Sequence, residues 1–94
     1  MAYLIVKHTV EDYGKWKPFF DQHSGARKAA GSKGAQLFRS GDNPNEITLL
    51  FEWDSIENAR KFSESPDLRE VMQKAGVLGP PTLSFLNEVE RQSQ

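Results

Sequence analysis

The chain has 94 residues, twelve basic and thirteen acidic side chains, a net charge of −1 and no cysteine. That length suits one domain over residues 1–94 with a modest core, burying roughly 60–70% of the unfolded surface. The charge balance sets up no field for a phosphate backbone, so no nucleic-acid partner is expected. The missing thiols exclude disulfides, thiolate catalysis and zinc–sulfur sites. No apolar run approaches a bilayer span and the N-terminus lacks a signal-peptide pattern, so no membrane partner and a cytoplasmic location are expected.

The first strand is expected at about residues 2–9. Val10-Glu11-Asp12 opens a helix, with Asp12 as N-cap or first-turn acid. This first helix is predicted to run to about Ala30, kinked or tightened before Pro18, which lacks a donor and crowds the Gly14 carbonyl. Gly31 and Gly34 end it and turn the chain. A second strand follows at about 35–40. Asp42-Asn43-Pro44-Asn45 is a turn cluster, and the third strand is expected at about 46–53. The second helix is written in two pieces. Asp54 or Ser55 caps the first, with Glu57 in capping-box register to Asp54. Ser65-Pro66 opens the second, and Gly76 closes it. Pro80-Pro81 is expected to break the chain before a last strand at 82–89, and residues 90–94 are expected to fray.

This order predicts a ferredoxin-like α+β sandwich, βαββαβ, with an antiparallel sheet of order 4-1-3-2. The first and third strands would be central. Leu4-Ile5-Val6 and Ile47-Thr48-Leu49-Leu50-Phe51 do not alternate cleanly, as a strand with one wet face should. Helices can cover one face, and a second copy of the chain is expected on the other. A homodimer is therefore expected.

The stretch Phe51-Glu52-Trp53-Asp54-Ser55, continued by Ala59, Phe62 and Ser65-Pro66-Asp67-Leu68, resembles the third-strand and second-helix signature of dimeric α/β-barrel proteins. It looks most like the antibiotic-biosynthesis-monooxygenase and cyclase-like group. The resemblance implies a homodimer with sheets packed face to face, helices outside and a cavity in each subunit between sheet and helices. Its members include cofactor-free oxygenases acting on aromatic polyketides and haem-degrading enzymes. In the haem-degrading members a second-helix histidine holds the iron. The matching position here is Phe62, and the second helix has no histidine, so no haem is expected. Trp53, Arg39 and Asn45 are of the types found in the asparagine, tryptophan and arginine set of the quinone-forming oxygenases, but they do not align with it residue by residue.

At 100° per residue, Tyr13, Trp16, Phe20 and Ala30 fall on one side of the first helix, together with Asp12, His23 and Arg27. Ionisable groups on an inward face need partners or a polar lining. One reading is a pocket with Trp16 and Phe20 as its wall, His23 as acid or base and Arg27 binding an anion. The other is a packed histidine beside an arginine that snorkels past the helix end. His8, at the end of the first strand, is a second catalytic candidate, which Asp12 would orient by a hydrogen bond. Alternatively it is a hydrogen-bonded strand-end histidine. Two unlinked histidines make no metal site, and none is expected. Trp53 shares a face with Ile47, Leu49 and Phe51, as core, dimer interface or ligand platform. Arg39 reads as an edge-strand or inter-subunit ion pair. Lys15, Lys17, Lys28, Arg60 and Lys61 read as solvated helix faces.

The expected function is that of a small-molecule-binding homodimer. It would be a cofactor-independent oxygenase- or cyclase-like enzyme on a small aromatic or polyketide-type substrate. The alternative is a non-catalytic ligand-binding, accessory or structural dimer.

Overall fold

The computed structural model describes residues 2–93. Met1 and Gln94, the ends of the expected domain and of the expected frayed tail, lie outside the described residues. The described chain runs β1 (Ala2–Val10), α1 (Tyr13–Gln22), α2 (Ser24–Ala30), β2 (Ser32–Arg39), β3 (Glu46–Trp53), α3 (Ile56–Ser63), α4 (Pro66–Lys74) and β4 (Val77–Asn87). The strands form one sheet in the order β2-β3-β1-β4, the expected 4-1-3-2 order, with every pair antiparallel. The fold is therefore the ferredoxin-like α+β sandwich.

Burial alternates along the central strands. Leu4, Val6, His8 and Val10 of β1 are buried on the helix side, as are Ile47, Leu49, Phe51 and Trp53 of β3. The opposite face is mixed. Ile5 sits across from Leu50 and Tyr3 across from Leu86, yet Lys7, Thr48 and Glu52 share that face. Ile5 and Leu50 are half-buried within one chain, whereas Leu86 and Phe38 are 42% and 49% exposed.

The first helix departs from expectation. It is two helices, broken at His23 (φ −87°, ψ 0°) and not before Pro18. Pro18 is accommodated inside α1, while Ser24 and Gly25 just after the break are weak helix formers. Asp12 is the N-cap, accepting from the Gly14 amide at 3.0 Å. Gly31 (φ 120°) closes α2, and β2 starts at once, so Gly34 lies inside the strand beside a bulge and does not end the helix.

Ser55, not Asp54, caps α3: its Oγ accepts from the Asn58 amide at 3.1 Å. Asp54 instead accepts from the Asn58 side-chain amide at 3.0 Å. The expected Asp54–Glu57 capping box does not form. Ser65 and Pro66 open α4 as expected.

The last strand begins five residues early and carries Pro80-Pro81 inside it. The pairing with β1 shifts between Lys7↔Thr82 and Thr9↔Leu78, so three residues, Gly79-Pro80-Pro81, bulge opposite His8. An edge strand needs ladder donors on one side only, so prolines at a bulge are tolerated there. Residues 88–93 carry no regular secondary structure.

Candidate active site

The helix side of the sheet carries a row of rings. His8 meets Trp16 edge-on at 5.7 Å, and Trp16 stacks on Phe20 at 5.1 Å with 20° between the planes. The Arg27 guanidinium lies 4.0 Å from the Phe20 ring centroid. Trp16 and Phe20 sit one helical turn apart on α1, which places both rings over the central strands. A second row closes the other side, with Trp53 5.4 Å and His23 5.5 Å from Phe62.

Between these rows lies a cavity of about 90 Å³. The sheet contributes Leu4, Val6 and Leu49, α4 contributes Leu68 and Met72, and the Pro81 bulge reaches its edge. The lining contains no acidic side chain. Its polar groups are few, and most lack protein partners. Both His8 nitrogens and the Trp53 Nε1 are buried with no hydrogen-bond partner. An unsatisfied buried donor or acceptor costs about 1–3 kcal/mol, and all three of these atoms belong to residues that line the cavity. Burial pushes the His8 imidazole below its ordinary value, which holds it neutral near pH 7 and able to accept a proton. His23 is half-buried and is also lowered, by burial first and then by the Arg27 charge, with Asp67 pulling the other way.

Arg27 is 9% exposed. Its Nη1 donates to the Phe20 carbonyl at 2.9 Å, and no carboxylate lies within ion-pair distance among the described residues. Burial lowers its pKa, with Asp21 opposing. A guanidinium nonetheless stays charged at neutral pH.

Six of the seven candidate catalytic and ligand-binding residues, His8, His23, Trp16, Phe20, Arg27 and Trp53, line this one cavity. Asp12 does not. It is exposed at the start of α1, and the expected Asp12–His8 hydrogen bond is absent because the cap geometry turns the carboxylate to its own helix. Arg39 makes no ion pair among the described residues. Its Nε donates to the Pro44 carbonyl at 2.9 Å and its guanidinium stacks 3.9 Å from the Tyr13 ring. Lys17 is half-buried, whereas Lys15, Lys28, Arg60 and Lys61 are exposed as expected, Arg60 over the Phe85 ring at 4.4 Å. Sequence reasoning missed Phe19, Leu68 and Met72 as wall residues. Leu68 and Met72 lie one helical turn apart on α4, a spacing that marks an apolar face but does not separate core from cavity wall.

Among the described residues no cluster of three histidine, cysteine, aspartate or glutamate side chains could hold a metal, and no helix is long and apolar enough to cross a membrane. Phe62, at the position matched to the haem-ligating histidine, packs against Trp53 and offers no donor to iron.

The chain shares its fold with solved structures of antibiotic-biosynthesis-monooxygenase-like proteins. A protein of Bordetella bronchiseptica, provisionally called an antibiotic biosynthesis monooxygenase, superposes with a TM-score of 0.78 at 22% identity, over 95% of this chain and 97% of that one. SnoaB of Streptomyces nogalater, a cofactor-independent oxygenase, superposes with a TM-score of 0.78 at 12% identity, over 99% and 97%. A protein of Caulobacter crescentus, provisionally called by the same name as the first, gives 0.74 at 17% identity, over 95% and 90%. No family model matches the sequence, and no curated protein matches it.

Proposed function

We propose that this protein is a homodimeric, cofactor-independent oxygenase acting on a small aromatic molecule. The observation that carries this reading is His8: a neutral imidazole, buried at an aromatic-walled cavity, with both nitrogens unpartnered. The likeness in fold to a cofactor-independent oxygenase supports the reaction type. The chemistry that suits such a site starts with His8 taking a proton from a methylene activated by a phenol or enol. The resulting carbanion gives an electron to dioxygen, and the pair recombines to a peroxide. The peroxide takes the proton back from His8 and loses water. The sum, R₂CH₂ + O₂ → R₂C=O + H₂O, balances with no external reductant. The apolar walls keep bulk water from quenching the carbanion. His23, half-buried beside Phe62, is the second candidate for proton transfer.

The dimer reading is supported by the Tyr3, Ile5, Leu50 and Leu86 cluster on the sheet face away from the helices, and by the resemblance to α/β-barrel dimers. The test of the oxygenase reading is oxygen uptake with a panel of single-ring phenols and quinols bearing an activated methylene, without added flavin or metal. Uptake that disappears in His8→Leu but survives in Asp12→Ala is expected. Binding of the panel without uptake would replace the oxygenase by a ligand-binding dimer.

A further inference from the structure

We infer that the ligand of this cavity is a small organic anion of single charge, a one-ring aromatic carboxylate, anchored by Arg27. The inference rests on the cavity being the ligand site, as proposed above, and adds the charge and size of what enters.

The charge argument starts from Arg27. Its guanidinium carries five N–H donors. One of them meets the Phe20 carbonyl, and no other side-chain or backbone acceptor in the described residues bonds to the group. The nearest neighbours are ring faces, Phe20 at 4.0 Å and Phe51 at 5.7 Å. Ring faces attract a cation, but they accept no N–H bond in the plane of the fork. Asp21, the acid that influences Arg27, is exposed and held by Lys17 at 2.6 Å. The cavity lining holds no acidic side chain, and burial keeps both histidines neutral. One uncompensated positive charge therefore faces an apolar space. A ligand with one negative charge neutralises it. A neutral ligand leaves the guanidinium unpaired, and a dianionic phosphate brings one charge too many and asks for more donors than a single fork supplies.

The size argument is independent. An apolar protein cavity that takes up benzene measures about 150 Å³, and drug-sized ligands fill about 300–1,000 Å³. At about 90 Å³ this cavity suits one ring after modest side-chain adjustment and excludes a fused polycycle. The Trp16–Phe20 stack gives that ring a flat wall, with His8 at one end of the row and Arg27 at the other.

Trp16 and Trp53 both line the cavity, so their fluorescence reads binding directly. Wild-type protein is titrated with benzoate, benzyl alcohol and 2-naphthoate at pH about 7.5. Benzoate is expected to bind about 10- to 100-fold more tightly than benzyl alcohol, the range of a charge-assisted hydrogen bond, and more tightly than 2-naphthoate. Arg27→Gln should lose that factor for benzoate and leave benzyl alcohol unchanged. If Arg27→Gln does not fold, the wild-type comparison of the acid with the alcohol still reads the preference. Equal affinity for the two, no binding by benzoate, or unchanged benzoate binding in a folded Arg27→Gln variant overturns the inference. A tighter complex with 2-naphthoate overturns its size limit. Oxygen uptake is a separate readout. An anion preference without uptake leaves this inference standing and sinks the oxygenase reading. Uptake from neutral phenols with no anion preference does the reverse.

Discussion

Arg27 stacks on the ring of Phe20 and binds the backbone carbonyl of that same residue: the guanidinium carbon is 4.0 Å from the ring centroid, and Nη1 donates to the carbonyl at 2.9 Å. Phe20 is in the last turn of α1, where carbonyls have no intrahelical donor. Arg27 therefore caps the C-terminus of α1 from the next helix and sets its positive charge against the negative end of the α1 dipole. Arg27 lies on α2, just past the break at His23, within reach of the end of α1. Arg27 is buried, so it does not snorkel past the helix end as one reading of the sequence had it. It caps the end of α1, and its other donors make no hydrogen bond among the described residues.

Trp16 is 4% exposed and touches His8, Tyr13 and Phe20. Trp16→Ala should cost about 3–5 kcal/mol in urea unfolding, the range for deleting a large buried aromatic. A loss below about 1 kcal/mol would place the ring outside the core.

His8 makes acid a destabilising condition. Its folded pKa lies below 6.5, the ordinary histidine value, because burial opposes the charged form. The unfolded chain therefore binds more protons just below that pH, and stability falls as pH drops through about 6.5 toward the folded value. His23 acts with the same sign. Urea midpoints at pH about 7.5 and about 5.5 should differ in the wild type and differ less in His8→Leu. Equal differences would mean that folded His8 takes up its proton freely.

Gly31 holds the corner between α2 and β2 at φ 120°, where a Cβ would sit 2.5 Å from the Asp54 carboxylate. The Asp54 amide also donates to the Gly31 carbonyl at 3.0 Å, so the two backbones cannot easily separate. Gly31→Ala should cost about 1–3 kcal/mol, typical of a residue forced into a sparsely populated backbone region. Thermal unfolding within about 2 °C of wild type would contradict this geometry.

The dimer is tested at the sheet centre. Ile5 sits opposite Leu50 on β3 and Ser84 on β4, on the face away from the helices. Wild-type protein should sediment at twice the chain mass at micromolar concentration. Ile5→Lys should sediment as the monomer with its far-ultraviolet circular dichroism retained. A wild-type monomer, or a dimer indifferent to Ile5→Lys, would place any self-association elsewhere.

The order of the elements and the sheet topology were legible in the residues because their signals are local or simply additive. The apolar runs of β1 and β3, Asp12 before α1, Ser65-Pro66 before α4 and the turn at Asp42–Asn45 each act within a few residues. The aromatic row on the first helix was legible too, since a helical wheel needs only spacing. Misplaced features were those where a local preference met a distant constraint. The two prolines read as a strand break, but on the edge strand β4 only one side of the backbone needs donors, and the bulge opposite His8 absorbs them. Pro18 read as the kink, yet the chain breaks at His23, where Arg27 can then cap the freed end of α1. Asp12 and His8 are near in sequence, which suggests a pair. In the fold the carboxylate is committed to the Gly14 amide, and the imidazole is left without a protein partner. The sequence alone thus determined which side chains share the helix side of the sheet. Only the tertiary structure decided that they surround a cavity, and that Arg27 and His8 reach it with donors and acceptors to spare, because hydrogen-bond satisfaction depends on contacts between elements and not on spacing within one.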